Sequence, residues 1–385
     1  MKPDIDPFDP RGKILSDICG DIESRDVRFS YPARTTEEIF GGFLCLSLLA
    51  QSRGSGWASG SGKSTVISLV ERFYDPRAVV LIINMGSHPH LNKLPVVEFT
   101  ETNLNPATSS WKSTADAVRR GLETYGSVVV DYYKESDNSE LQDTMFGLWE
   151  ELFGLPLETK RKYTSKLAGF GYAGNYPSMP LFECFGIEDG ESLEAAKTSL
   201  ASCGLLVITN FVMEMLVSSY GLEKYYPPLV ESSFYMTRLI KYHLPDKNNK
   251  NEINIGLRPH RDKGFLSVIG SNEVKGLQIQ TPDGEWRDFE PSPSRFLILA
   301  GESLMAWSNG RIYSPLHRVI IRGGIKEKYS IGIFSFIRGI LQVPEELVDH
   351  ENPLKFKPFN TFEFMEYCKN SGSTMDASIQ TYCGI

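Results

Sequence analysis

The chain holds only six histidines, and two of them sit where they could do chemistry. His260 opens the run His260-Arg261-Asp262 in "LRPHRDKGFLSV", and His317 lies in "SPLHRVIIRG". On an extended strand, residues i and i+2 share a face, so His260 and Asp262 would stand side by side with Arg261 turned away. His317 follows Asp262 by 55 residues, enough chain to pass through several strands and return. Two imidazoles and a carboxylate on one face of an Fe(II) ion leave three coordination positions open for reactants. Either histidine alone would read as a core residue beside a paired acid. Their joint occurrence in the β-rich half favours a metal site.

The same triplet opens the catalytic loop of protein kinases, where an Asn stands five residues after the Asp. Ser267 occupies that position here, no Asp-Phe-Gly follows, and the order of elements differs, so the kinase reading is set aside. Two further histidines, His88 and His90 in "MGSHPHLNKLP", have chelating spacing but no third ligand nearby and read as a solvated linker.

The elements around these residues must hold them in place. Beyond Ser232 the chain alternates short apolar runs with turns: "FYMTRLIKYH", "FLSVIGS", "GLQIQTPDGEWRDF", "RFLILAG", "HRVIIRGG" and "YSIGIFSFI". The Asp-Gly in "PDGEW" marks a hairpin, and many evenly spaced strands imply a sandwich or barrel such as a jelly roll. Upstream, "WKSTADAVRRGLETYG" and "NFVMEMLVSSYGLEKYY" read as helices, as does "GESLEAAKTSLASC". "SVVVDYY" reads as a strand, and "SELQDTMFGLWEELFGLP" as a helix with Met145, Leu148 and Leu152 facing the core.

"LPVVEF", "LFGLPLETKRKY", "YGLEKYY", "PHRDKGFLSVI", "VKGLQIQTPDGEW", "AWSNGRIYSPLHRVI" and "KYSIGIFSF" follow one another in an order resembling the plant 2-oxoglutarate- and Fe(II)-dependent dioxygenases of the isopenicillin-N-synthase-like superfamily. The resemblance runs over residues 93–385, about three quarters of the chain. Through "SYGLEKYY…SSFYMTRLIKYHLP" it is most similar to the AOP-like and auxin-oxidase branch. It implies a mainly β fold with flanking helices around a double-stranded β-helix (jelly roll), and Fe(II) held by His260, Asp262 and His317. It also implies 2-oxoglutarate as cosubstrate, with ascorbate in support. Where the family has Arg-x-Ser gripping the distal carboxylate, this chain has Lys328-Tyr329-Ser330. Lys keeps the charge but loses the planar fork. The family's Asn-x-Tyr becomes Ile240-Lys241-Tyr242, retaining the Tyr. In "AAKTSLASCGLLVITNFVMEML" the chain departs from the family, which has a longer segment with a Trp-Pro pair. The implied activity is oxidation, chiefly hydroxylation, of a small plant specialised metabolite or hormone. A catalytically impaired or fused dioxygenase-like product is the alternative.

The first 84 residues read as a separate, short, irregular and poorly ordered appendage, with 85–231 a helical and mixed region and 232–385 the jelly roll. Residues 20–83, "DIESRDVRFSYPARTTEEIF" through "SGSGKSTVISLVERFYDPRAVVLI", resemble a fragment of an ABC-transporter nucleotide-binding domain. A phosphate loop needs Gly, four residues, then Gly-Lys-Ser/Thr. Counting back from Gly62 gives Trp57 where that first Gly belongs, so no ATP site is expected.

A net charge of −8 argues against nucleic acid as a partner. Six scattered cysteines, with no Cys-x-x-Cys pair, suit a reducing compartment. The longest apolar run, "GLLVITNFVMEMLV", is too short to span a bilayer. These features lead to the expectation of a cytoplasmic monomer acting on a small molecule and O2, away from membranes.

Overall fold

In a computed structural model, the described residues are 22–29, 40–46, 78–83, 94–132, 139–165, 169–188, 204–245, 254–322, 326–371 and 377–385. Two compact units result, Met1–Asn92 and Lys93–Ile385. In the first, strands β1 (Ile22–Phe29), β2 (Phe40–Leu46) and β3 (Ala78–Ile83) form an antiparallel sheet ordered β2-β1-β3. Trp57 and Gly62 to Thr65, which carry the nucleotide-loop reading, lie outside the described residues, as do His88 and His90.

The second unit is built on two large sheets, with a small two-stranded ribbon of Ile340–Leu341 and Phe359–Asn360 beside them. The larger takes the order β4-β5-β13-β10-β15-β8-β7-β6. Its members are β4 (Val96–Phe99), β5 (Ser127–Tyr132), β6 (Gly171–Tyr176), β7 (Met179–Glu188), β8 (Ser233–Tyr242), β10 (Leu266–Ser271), β13 (Arg295–Ala300) and β15 (Lys328–Ile337). The smaller has the order β12-β11-β14-β9, from β9 (Asn254–His260), β11 (Leu277–Gln280), β12 (Trp286–Asp288) and β14 (His317–Ile321). The Asp283-Gly284 turn joins β11 to its antiparallel neighbour β12, with Gly284 at a φ of 89°.

Strand alternation sends one set of side chains between the sheets and the other under the helices. Val129, Ile240, Ile269, Leu297 and Leu299 of the large sheet pack with Leu277, Ile279, Val319 and Ile321 of the small one. Their neighbours Val128, Val130, Leu239, Val268, Ile298 and Ile331 face the opposite way. They meet helix α1 (Ser109–Tyr125), with Trp111, Ala115, Val118 and Leu122 buried, and helix α3 (Leu205–Ser219). Thr108 caps α1 by accepting a hydrogen bond from the Trp111 amide, a gain of about 1 kcal/mol.

Helix α2 (Ser139–Gly154) corrects the expected stripe. Leu148 is 58% exposed, whereas Met145, Trp149 and Phe153 are buried. A spacing of four residues puts the two large rings in line with Met145, and those rings bury more apolar area than Leu148 could. Of the segment that departs from the family pattern, residues 195–203 lie outside the described ones, and α3 begins just after them. Among the described residues, no helix is long and apolar enough to cross a membrane.

Gly126 ends α1 at a φ of 66° and donates its amide to the Leu122 carbonyl. A Cβ there would lie 2.2 Å from the Tyr313 carbonyl oxygen and 2.5 Å from Pro315 Cδ. Left-handed backbone and this backbone clash act together, so Gly126→Ala is expected to destabilise the fold by about 2 kcal/mol or more. The displaced segment leads directly into His317. Urea midpoints and iron content, measured together, should therefore fall together; an unchanged midpoint would contradict this packing.

Candidate metal centre

His260 is the last residue of β9 and His317 the first of β14, and the two are register partners across the small sheet. Their rings lie 4.1 Å apart, centroid to centroid. Strand β9 ends at His260, so Asp262 sits just beyond the strand rather than on it, a correction to the same-face argument. The chain turn nevertheless brings Asp262 Oδ1 to 3.7 Å from Nε2 of each histidine. One ligand atom from each of the three residues lies within 4.8 Å of the other two.

Each donor is aimed by a second contact. Nδ1–H of His260 donates to the Arg258 carbonyl at 2.8 Å, which leaves the Nε2 lone pair facing the cluster. His317 Nδ1 stands 3.4 Å from the Pro315 carbonyl. The Ser267 hydroxyl donates to Asp262 Oδ2 at 2.6 Å, leaving Oδ1 free to ligate. Burial and the neighbouring His317 hold the His260 pKa down at about 4, so this imidazole is neutral at pH 7. Burial would raise the Asp262 pKa, but the two imidazoles and the Ser267 hydrogen bond outweigh it and hold it below the usual range. Two imidazoles and one carboxylate are the donor set of a divalent iron site, and the residues present fit that ion.

The three donors open into a cavity of about 360 Å³ between the sheets. Tyr242 and Ser330 line it. The Tyr242 hydroxyl has no hydrogen-bond partner among the described residues, and burial raises its pKa. Lys328, 1% exposed, lies behind that wall rather than on it. Its ammonium donates to Ser271 Oγ at 2.5 Å and to the Val274 carbonyl at 2.7 Å. Ser271 Oγ in turn lies 3.4 Å from Ser330 Oγ. The phenol of Tyr242 and the hydroxyl of Ser330 on the wall, backed by Ser271 and the buried Lys328 amine, fit a dicarboxylate's remote carboxylate.

Sequence reasoning misses three polar contributors. Ser267 figures there only as a residue that is not Asn, although its place on β10 puts it against Asp262. Ser271 carries no sequence signal of its own. Arg238 lines the cavity too, and "TRLIKY" holds the signal: on a strand, Arg238, Ile240 and Tyr242 share one face.

Residues 223–337 match the model of the 2OG-Fe(II) oxygenase superfamily, and residues 94–178 match that of the non-haem dioxygenase in morphine synthesis N-terminal region. Among curated proteins, the chain is 36% identical to a "Probable 2-oxoglutarate-dependent dioxygenase AOP1" of Arabidopsis thaliana, over 71% of this chain and 96% of that one. Among solved structures, it is similar to the dioxygenase for auxin oxidation in rice, with a TM-score of 0.62 and 22% identity, covering 76% of this chain and 100% of that one. A full-length Neurospora crassa protein, solved in complex with alpha-KG and 5-formyluracil, gives a TM-score of 0.60 at 22% identity, over 70% and 93% of the two chains.

Proposed function

This chain belongs to the 2OG-Fe(II) oxygenase superfamily, and on that premise we propose that it hydroxylates a small plant specialised metabolite or hormone, with His260, Asp262 and His317 as its iron ligands. Fe(II) is the metal and 2-oxoglutarate the cosubstrate. The convergence of three correctly aimed donors on one cavity is the observation that carries the proposal. In the balanced reaction, R–H, O2 and 2-oxoglutarate become R–OH, succinate and CO2. One oxygen atom enters the product hydroxyl and the other the new succinate carboxylate. The iron, when bound, supplies O2 activation.

The chain's own residues supply positioning. The Arg258 carbonyl fixes the His260 tautomer, and Ser267 fixes the carboxylate rotamer. Lys328, Ser330 and Tyr242 are the proposed grip on the distal carboxylate of 2-oxoglutarate. Phe182, Leu257, Ile269, Leu277 and Val319 make the cavity walls apolar, which keeps water from the reacting centre.

The test is succinate release by the full chain with Fe(II), O2 and 2-oxoglutarate, screened against plant metabolite extracts with untargeted detection of a product heavier by one oxygen. One succinate per oxidised product is expected. Iron-loaded protein that never turns over 2-oxoglutarate would favour the catalytically impaired alternative.

All of these residues lie within Lys93–Ile385, which has its own core. A chain starting at Met85 is therefore expected to keep iron content and succinate release within about twofold of the full chain. In the full chain, Lys63→Ala should change neither, and calorimetry should detect no saturable Mg-ATP binding. Loss of activity on either change would give the N-terminal unit a role in the reaction.

A further inference from the structure

The cavity has a second polar end. Arg238 on β8 lines it together with the three metal donors. Strand β8 pairs with β15 in the register Tyr242↔Lys328, Ile240↔Ser330 and Arg238↔Gly332. Arg238 is thus four residues along an extended strand from Tyr242, with about 13 Å between their Cα atoms at the usual strand rise, and both side chains line the cavity. A five-carbon diacid held at the Lys328 end covers roughly half of that distance, judged from its bond lengths. No ion pair to Arg238 is found among the described residues, so its charge is available to a second bound anion.

Within the protein the guanidinium is under-used. It donates one hydrogen bond, from Nη2 to the Gly169 carbonyl at 3.3 Å, and stands 5.5 Å from the centre of the Phe334 ring. Its Nε is buried with no hydrogen-bond partner among the described residues. No carboxylate among the described residues pairs with it, and the acid that shares its cavity, Asp262, is the proposed iron ligand. A guanidinium with one of its five N–H donors engaged among the described residues, lining the cavity, suits a planar two-oxygen anion. Gly169 makes room for this arrangement, because a Cβ there would come within 2.5 Å of Arg238 Nη2. Arg258 lines the same cavity, donates to the Ser178 carbonyl at 3.3 Å and has no ion-pair partner among the described residues. Met179, Leu257 and Phe334 supply apolar surface to the cavity that holds the two arginines and the metal donors.

We propose that Arg238 is the specificity-determining residue for the oxidised substrate, and that this substrate is a small amphiphilic carboxylic acid. Its carboxylate pairs with Arg238, and its apolar body lies against Met179, Leu257 and Phe334. This rests on the oxygenase reading and deepens it. The cavity then discriminates two acids by position, the diacid at Lys328 and the monoacid at Arg238.

The test uses the full chain loaded with Mn(II) and 2-oxoglutarate, so that no turnover occurs. Calorimetry measures the binding of octanoate, phenylpropanoate and cinnamate, each against its neutral primary amide. At least one acid is expected to bind about tenfold or more tightly than its amide, the scale of a charge-assisted bond. Arg238→Gln should abolish that preference, and Arg238→Lys should restore part of it, with 2-oxoglutarate affinity unchanged in both. The acid–amide comparison on the unmodified chain stands even if a variant folds poorly. Equal binding of acids and amides, or no acid binding at millimolar concentration, overturns the proposal. So does a loss of 2-oxoglutarate affinity in Arg238→Gln, which would make Arg238 a cosubstrate residue. Failure of the unmodified Mn(II)-loaded chain to bind 2-oxoglutarate would instead count against the oxygenase reading.

Discussion

Asp262→Ala is expected to strip the centre of iron and to reduce 2-oxoglutarate-dependent succinate release by more than about a hundredfold, since losing even an outer-sphere partner costs roughly 10- to 100-fold. Asp262 is the one anionic member of the cluster, and its Oδ1 faces Nε2 of both histidines. Without it, two neutral imidazoles would hold a dication in an apolar cavity with no compensating charge. Ser267→Ala provides the graded comparison. It removes only the hydrogen bond that steers Oδ2, so the carboxylate stays but its rotamer is freed. A loss between those two extremes, on the order of tenfold in iron affinity, is expected. Iron content after dialysis and succinate release should be measured on the same preparations. Full iron occupancy in Asp262→Ala would remove Asp262 from the ligand set.

The strands carrying this centre are legible because their physics is local. "HRVII" and "KYSIGIFSFI" are β-branched and apolar, and both become strands over the stretches expected. The proximity of His260 and His317 is readable only as a pattern of types and spacing, because the register that makes them neighbours is a non-local pairing of β9 with β14. Asp262 shows the limit of periodicity. An alternation rule places it beside His260 on a strand, yet β9 stops at His260, and a turn brings the carboxylate in instead. Leu148 shows another limit. Helical spacing groups Met145, Leu148 and Leu152, but packing against Phe185 and Tyr329 selects Phe153, whose ring lies 5.2 and 6.1 Å from theirs. Which face a helix buries depends on what it meets, and sequence spacing alone does not contain that.

Lys328 makes the second strong expectation, because its charge state is poised. Burial alone pushes its pKa down to about 7, since no carboxylate among the described residues stands beside it to hold the proton. Between about pH 7 and its ordinary value the unfolded chain binds the extra proton and the folded chain does not, so this group makes folding stability rise with pH there. Binding of the cosubstrate runs the other way. The distal carboxylate of 2-oxoglutarate needs the ammonium form, so affinity should be highest below about pH 7. It should weaken as pH rises, by up to about tenfold per unit, because binding then requires uptake of a proton. Lys328→Arg should flatten this profile between about pH 6 and 9, since a guanidinium keeps its charge throughout and adds a planar fork. Lys328→Ala should lower affinity about tenfold or more at about pH 6.5, and by much less at about pH 8.5, where the unmodified side chain is itself largely neutral. Iron content should stay constant across all three proteins, because Lys328 does not belong to the donor cluster. Calorimetric titration of 2-oxoglutarate into Mn(II)-loaded protein at several pH values separates the outcomes. A pH-independent affinity in the unmodified chain, or undiminished affinity in Lys328→Ala, would move the carboxylate grip away from Lys328 while leaving the three metal donors as they are.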